Sequence, residues 1–160
     1  LYQIPFKEEE YSIEVPDFEQ TKLKTCLVNS PEQYNQIKNE SYDIIYSSLD
    51  IPNTIRKYPK VMNSYPDNLT KILAGEVGVF NKYHSNIDTD YSFNVVNSYT
   101  VAFLHSLGAN KITLSYELDE AQITELISNY HQRYHKHPNL EVIVYGYPEI
   151  MISKFRDRNH

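Results

Sequence analysis

The chain has 160 residues, of which 41% are hydrophobic and 22% charged, and this composition fits one globular domain rather than a disordered or membrane-spanning chain. Its formal net charge of -6 argues against a general nucleic-acid-binding surface, which needs clustered Lys and Arg. The single cysteine, Cys26, excludes an internal disulfide and a cysteine-ligated metal centre built from this chain alone.

The first 22 residues are acidic and are interrupted by Pro5 and Pro16. This pattern predicts a short extended arm or the remnant of a preceding domain. The chain begins with Leu1 rather than Met, so we expect an excised or processed fragment. Residues 23–160 are predicted to form the domain itself.

From about residue 23, short apolar runs alternate with polar segments of helical length. The apolar runs predict seven strands, at 24–29, 42–48, 60–64, 76–84, 91–97, 111–115 and 140–146. Ser30, Pro31 and Glu32 are typical of a helix start. The polar segments predict four helices, at 31–39, 67–73, 98–107 and 119–135.

Strands that alternate with helices predict a parallel sheet covered by helices, and therefore an α/β fold. Seven strands in succession without a Gly-rich phosphate-binding turn favour a parallel (β/α) barrel, similar to a TIM barrel, over a dinucleotide-binding sheet. Several connections are too short for a full helix. We therefore expect a small, irregular or incomplete barrel, with an open α/β layer as the alternative.

Polar residues at the ends of the predicted strands are candidates for a functional site, because parallel α/β folds collect their sites at the carboxyl ends of the strands. The candidates for catalysis are Glu117, His84 and Tyr145, and those for substrate binding are Asn94, Asn97 and Ser115. We expect Glu117 to act as a general acid or base. The alternative is that it lies in a first helical turn and interacts with the helix dipole.

Several polar residues also have structural interpretations. A loop histidine such as His84 is more often a solvated surface residue, and Asn97 and Ser98 form a good helix N-cap pair. His131 and His135 have the i, i+4 spacing that can chelate a metal, but no Glu completes an HExxH motif. The sequence therefore predicts a solvated histidine cluster and no metal site. No GxSxG turn is present, so no Ser–His–Asp triad is predicted.

Residues 90–118, DYSFNVVNSYTVAFLHSLGANKITLSYEL, followed by residues 140–155, LEVIVYGYPEIMISKF, resemble peptidase family U32, the collagenase-like proteins. The family pattern has a strand with Asn, a second Asn that opens a helix, a Gly before a strand, and a Glu-Leu pair after it. The matching positions here are Asn94, Asn97, Gly108, Ser115, Glu117, Leu118, Glu141, Tyr145, Gly146 and Met151. The resemblance covers about residues 24–155 and is looser before residue 90.

The resemblance implies a TIM-barrel-like core and a bacterial, cytoplasmic protein that hydrolyses peptide bonds by an unestablished mechanism. Its partner would be a peptide or protein substrate, with no membrane association. Similar proteins support the hydroxylation of tRNA or rRNA bases, or of quinone precursors. An accessory or RNA-binding module is therefore the alternative expectation.

The resemblance also bears on cofactors, because those similar proteins hold an iron–sulfur cluster through cysteines. The family usually has a Cys shortly after the Gly–Met segment, where residues 152–155 here read ISKF. We therefore expect no cofactor in this chain, unless cysteines outside the fragment supply the ligands of a cluster.

Overall fold

Within residues 12–147, which are the residues that this computed structural model describes, seven strands form one sheet. All neighbouring strands are parallel and follow one another in chain order. The sheet curls, and the Thr25 hydroxyl on the first strand donates a 2.8 Å hydrogen bond to Glu141 on the last. The predicted incomplete, TIM-barrel-like α/β fold is therefore confirmed as a half-barrel with helices between its strands.

The strands are β1 (Thr25–Val28), β2 (Ile44–Ser47), β3 (Ile55–Lys57), β4 (Ile72–Ala74), β5 (Ile87–Thr89), β6 (Ala109–Thr113) and β7 (Leu140–Glu141). The α-helices of the described region are α1 (Pro31–Ile37), α2 (Ser98–Leu107) and α3 (Glu120–Tyr134). Two 3-10 turns, Val77–Asn81 and Tyr91–Phe93, follow β4 and β5.

The helix starts follow from their capping residues. The Ser30 hydroxyl accepts a hydrogen bond from the Gln33 N–H at the start of α1. Asp119 and Gln122 form a reciprocal capping box at the start of α3. The helices α1, α2 and α3 all lie where the sequence predicts them.

Three of the seven predicted strands are misplaced. The predicted strand at 60–64 is wrong, and β3 lies a few residues earlier. The predicted helix at 67–73 is wrong, because its last residues form β4, and the predicted strand at 76–84 contains a 3-10 turn instead. The predicted strand at 91–97 is also wrong, because β5 ends at Thr89.

The misplaced strands share a physical cause. Each of β3, β4 and β5 is only three residues long, so no periodic pattern develops along it. Lys57 in β3 and Asp88 in β5 carry charges whose partners lie elsewhere in the sequence, which makes these segments read as loops. Val79 and Phe80 are buried in the core from a 3-10 turn, and their segment therefore reads as a strand.

The two faces of the sheet differ in polarity. On the helix-facing side, apolar strand residues pack against α2 and α3 to form the main core. Buried members include Ile72, Ala74, Ile87, Ala109, Ile112, Leu114, Val101, Leu104, Leu126 and Tyr130. Because side chains alternate along a strand, the intervening residues face the concave side of the half-barrel. That face carries polar and charged residues, among them Lys57, Asp88, Lys111 and Thr113.

The segment before β1 has no regular secondary structure where it is described, from residue 12 to residue 24. The Phe18 ring lies 4.5 Å from the His105 ring, and the Phe18 N–H donates to the His137 carbonyl. Asp17 accepts a hydrogen bond from the His137 N–H. The arm therefore packs on the domain in this part, and the boundary at residue 22 stays a prediction. Residues 1–11, Met151 and the ISKF segment at 152–155 lie outside the described residues.

No helix between residues 12 and 147 combines the length and the apolarity that a membrane crossing requires.

The stability of the fold is expected to depend on pH through His105. Burial lowers the pKa of this imidazole to about 4, against an ordinary value of 6.5, although its hydrogen bond with the Ala109 carbonyl opposes the shift. Because the unfolded chain binds the proton more tightly, the free energy of unfolding should fall as pH drops from 6.5 to 4, by about 3 kcal/mol.

Urea denaturation at several pH values measures this loss. The exposed His131→Gln should retain the pH dependence, and His105→Gln should lose it. An unfolding midpoint that does not change between pH 6.5 and 4 would contradict the assignment to His105.

Candidate functional site at the carboxyl ends of the strands

The concave face of the half-barrel is filled by two linked pairs of polar side chains. The Tyr46 hydroxyl donates a 2.6 Å hydrogen bond to Asp88, which is fully buried. The Lys111 ammonium lies 2.5 Å from Glu141 and 4.8 Å from the centre of the Tyr46 ring, so it joins the two pairs. The hydroxyls of Thr25 and Thr113 complete the contacts of Glu141.

The surroundings of Tyr46 hold its hydroxyl in one protonation state. Burial, followed by the neighbouring Asp88 carboxylate, raises the pKa of the Tyr46 hydroxyl far above its usual value. Tyr46 therefore stays protonated and serves as a hydrogen-bond donor. We call the layer formed by the Tyr46–Asp88 and Lys111–Glu141 pairs the floor, because it lies beneath the carboxyl ends of the strands.

Above this floor lies a cluster that we call the mouth, formed by Lys57, Lys60, Asp90, Tyr91 and Tyr116. Asp90 directly follows β5, and its N–H donates to the Ala74 carbonyl at 3.0 Å. Its Oδ1 accepts a 2.8 Å hydrogen bond from the Ser92 N–H, which starts the 3-10 turn. The position of Asp90 is therefore fixed by backbone contacts on both sides.

The second carboxylate oxygen of Asp90 has no hydrogen-bond partner among the described residues, although Asp90 is only 3% exposed. Its nearest charged neighbour is the Lys57 ammonium, at 3.8 Å from Oδ2. A buried carboxylate oxygen without a donor is energetically costly. Within the mouth, this oxygen is the atom best suited to accept a hydrogen bond from a ligand or a water molecule.

Two lysines and a second tyrosine lie around Tyr91, the residue that follows Asp90. The Lys60 and Lys57 ammonium groups lie 4.9 and 5.6 Å from the centre of the Tyr91 ring, within the range of cation–π attraction. The Tyr116 ring lies 5.9 Å from that of Tyr91, at an interplanar angle of 72°. The mouth thus combines two ammonium groups, two phenol rings and one carboxylate.

The segment that carries Lys60 is positioned by close packing against Gly75. A Cβ at Gly75 would lie 2.9 Å from the Lys60 backbone nitrogen and from the Pro59 carbonyl. The Gly75 carbonyl also accepts a 2.6 Å hydrogen bond from the Ser92 hydroxyl. Gly75 therefore allows the β3–β4 loop to approach the turn that follows β5.

The structure separates His84 from the other predicted site residues. His84 is exposed and precedes β5, and its carbonyl lies against Gly108, which precedes β6. It is therefore at the amino ends of the strands, opposite the mouth. The reason is the misplaced strand at 76–84, since His84 does not follow a strand.

Glu117 and Asn97 do come together. Both line an open groove of about 490 Å³ between α2 and α3. The Asn97 side chain accepts a 2.9 Å hydrogen bond from the Thr100 N–H and so caps α2. Asn97 is therefore the helix N-cap that its position beside Ser98 indicates. Glu117 is exposed in the loop between β6 and α3, and it precedes the helix rather than lying in its first turn.

The three remaining candidates occupy different surroundings. Ser115 is buried beside the groove, and its N–H donates to the Val95 carbonyl at 3.0 Å. Asn94 is exposed in a left-handed conformation with φ 48°, and Tyr145 is 87% exposed after β7. Catalytic and binding roles for all six predicted residues stay predictions.

Sequence reasoning missed the residues of the mouth. Asp90 and Tyr91 open the DYSFN segment, and Tyr116 lies inside SYEL, so both stretches drew attention for neighbouring residues. Lys57 was missed because the third strand was predicted at 60–64, whereas it is Ile55–Lys57. The sequence signal that could have identified this site is the Asp90-Tyr91 pair directly after a short strand.

The predicted histidine cluster lies at the end of α3. The His131 and His137 rings are 4.3 Å apart, and His135 ends the helix with φ 52°. His137 also lies 3.1 Å from Asp17. In the part of the chain that is described, no group of three or more His, Cys, Asp or Glu side chains is arranged to hold a metal ion.

Comparison with known proteins gives one match. The family model described as peptidase family U32 matches residues 43–155, which is more than half of the chain and includes the mouth. Neither the curated proteins nor the solved structures contain a significant match to the chain. The family match covers β2 to β7 and agrees with the sequence motifs around Asn94 and Glu117. The chain therefore belongs to peptidase family U32.

Proposed function

We propose that the chain hydrolyses peptide bonds at the mouth, with Asp90 as the general base. The observation that carries this proposal is the Oδ2 atom of Asp90, which is buried, lacks a hydrogen-bond donor among the described residues and lies at the carboxyl end of β5. Carboxyl ends of strands are where barrel enzymes place their catalytic groups. Membership of a peptidase family supports peptides as the substrate class.

In the proposed reaction, Asp90 Oδ2 takes a proton from a water molecule while the water oxygen attacks the peptide carbonyl carbon. The carbonyl oxygen then carries a negative charge, which the Lys57 ammonium stabilises. The C–N bond breaks as the nitrogen takes the proton from Asp90 and leaves as an amine. The products are a carboxylic acid and an amine, and the carboxylate of Asp90 is regenerated.

The test is hydrolysis of labelled casein and gelatin by the purified chain and by Asp90→Asn. Asn retains an oxygen that can accept from the Ser92 N–H, so the turn should be kept while the base is lost. We expect kcat to fall by about 100-fold or more, which is typical of losing a general base. Asp67→Asn is the matched control, because Asp67 is an exposed carboxylate paired with Lys82 outside the mouth.

Two outcomes would contradict the assignment. Equal rates for the wild type and a folded Asp90→Asn would remove Asp90 from the reaction. A loss of activity in Glu117→Gln, together with full activity in Asp90→Asn, would instead assign the general base to Glu117, the residue that the sequence predicts for this role.

A second candidate function is RNA binding as an accessory module. The observation in its favour is the pairing of the Tyr91 and Tyr116 rings with two lysines, since aromatic stacking with nearby positive charge is how many proteins bind single-stranded nucleic acid. Under this function, a single-stranded RNA should bind the wild type and lose affinity in Tyr91→Ala. Binding that Tyr91→Ala leaves unchanged would contradict it.

A further inference from the structure

We infer that the groove between α2 and α3 is a docking site for an extended peptide segment that carries one acidic and one basic side chain. The groove has a volume of about 490 Å³, which is within the usual range for binding clefts. None of the mouth residues lines it, so this site does not depend on the proposed function. The inference starts from the charges along the groove, which have opposite signs at its two ends.

The wall formed by α3 presents a stripe of three polar side chains. Glu125, Asn129 and Arg133 all line the groove, and their spacing of four residues places them on one face of the helix. Glu125 and Arg133 are about 12 Å apart along the helix axis. Glu117 also lines the groove and precedes the amino end of α3. The carboxylates therefore lie towards one end of the groove, and the guanidinium lies towards the other.

The Arg133 guanidinium is fixed in place but retains free donors. Its Nη1 donates a 2.5 Å hydrogen bond to the buried Ser98 hydroxyl, and its Cζ lies 4.2 Å from the centre of the Tyr99 ring. Across residues 12–147, no carboxylate lies within ion-pair distance of it. A guanidinium has five N–H donors in a planar fork that fits a carboxylate, and the Ser98 contact uses one of them. Arg133 is therefore preorganised to bind an acidic side chain.

The opposite end of the groove suits a basic side chain. Glu117 and Glu125 are exposed, and neither carboxylate has a hydrogen-bond or ion-pair partner in the part of the chain that the structure describes. Two such carboxylates attract a lysine or arginine and repel a second acidic group. Asn129 lies between the charged ends, and its amide can both donate to and accept from a peptide backbone.

The length of the stripe defines the spacing of the two charges in the ligand. An extended chain rises about 3.3 Å per residue, so about four residues cover the distance from Glu125 to Arg133. Residues four positions apart also point to the same side of an extended chain. We therefore expect the acidic and the basic residue of the ligand to be four positions apart, in the order that the direction of the segment requires.

Fluorescence anisotropy with capped nonapeptides tests the inference in the full chain carrying Asp90→Asn, which also lacks the proposed general base. The probes consist of Gly and Ser with one Glu and one Lys four positions apart, in either order. Each probe is matched by peptides with Gln in place of the Glu, the Lys or both. At low salt, we expect the better order to bind about fivefold more tightly than either single-Gln match, as one exposed ion pair predicts. The difference should shrink as salt is added.

Exchange of the two groove charges identifies the source of the preference. Glu125→Arg combined with Arg133→Glu keeps the net charge of the chain but reverses the groove. The probe order that binds better before the exchange should bind worse after it, and the opposite order should bind better. Lys38→Glu combined with Glu40→Lys is the matched control, because it exchanges two exposed charges near the end of α1. This control should retain the original order.

Three results would overturn the inference. The first is equal binding of all probes, and the second is an order preference that the charge exchange does not reverse. The third is self-association of the wild type that Arg133→Glu abolishes, because the occupant of the groove would then be a second copy of the chain. None of these results bears on hydrolysis at the mouth, which the casein assay tests separately.

Discussion

Gly108→Ala is expected to lower the free energy of unfolding by about 2–5 kcal/mol, one of the two largest effects that we expect from a single substitution. Two costs add at this position. Gly108 has φ 111°, a left-handed conformation that residues with a Cβ rarely adopt. In addition, a Cβ here would lie 2.0 Å from the His84 carbonyl oxygen.

The clash in Gly108→Ala is severe because the new Cβ would meet backbone atoms of His84, which cannot rotate away as a side chain can. The His84 carbonyl belongs to the segment that leads into β5, and Gly108 connects α2 to β6. Since β5 and β6 are adjacent in the sheet, neither segment can retreat without disturbing strand pairing. The destabilisation should therefore come from overpacking as well as from backbone strain.

Gly146→Ala separates the two costs. Gly146 also has a positive φ, 147°, but a Cβ there would meet no described atom within 4 Å. It should pay only the conformational cost, about 1–2 kcal/mol. Urea denaturation followed by circular dichroism measures both variants. Equal destabilisation of the two would show that the approach to His84 does not limit the fold.

Gly108 also illustrates what the sequence could predict. A Gly after an amphipathic segment predicts the end of a helix, and α2 does end there, with its cap N–H bonded to the His105 carbonyl. What a local pattern could not predict is that the same glycine faces His84. That contact joins residues 24 positions apart, and it places His84 at the amino ends of the strands.

The fold class was predictable because it depends on repetition. Apolar segments separated by capped helices recur along the chain, and Ser30, Asn97 and Asp119 all cap helices in the structure. Individual short strands were not predictable to the same degree. In β3 and β5 the inward residues are Lys57 and Asp88, and a charged strand residue becomes intelligible only when its partners on other strands are known.

The candidate site was less predictable than the fold for a related reason. Asp90 is separated from Lys57 by 33 positions and Tyr91 from Tyr116 by 25, and the parallel order of β3 to β6 in the sheet brings these residues together. Glu117, by contrast, was visible in the sequence because it belongs to a local motif. The structure places it in a groove with Asn97, so local motifs located one region and long-range pairing located the other.

The second large effect is expected from Glu141→Leu, which should lower the free energy of unfolding by about 2–4 kcal/mol. Glu141 is the shared acceptor of Lys111, Thr25 and Thr113. Its removal leaves the Lys111 ammonium, with a side chain only 6% exposed, without a carboxylate. It also removes the side-chain hydrogen bond that links β1 to β7 at the open side of the half-barrel.

The opposite substitution should cost less. In Lys111→Met, the remaining Glu141 carboxylate still accepts from Thr25 and Thr113, and its side chain is 19% exposed, so water can reach it. The double variant should be more stable than the sum of the two single effects predicts, because an apolar pair leaves no buried charge. A double-mutant cycle by urea denaturation measures this coupling.

The order of the three variants distinguishes the interaction from simple loss of packing. If Glu141 acted only by filling space, Lys111→Met and Glu141→Leu would cost similar amounts and would add. A charge stranded in the interior instead predicts that Glu141→Leu is the most damaging variant and that Lys111→Met partly rescues it. Because this pair lies in the floor beneath the mouth, Glu141→Leu should also reduce peptide binding. The double variant should regain stability relative to Glu141→Leu. Additive single effects would show that Lys111 and Glu141 do not stabilise the barrel as a pair.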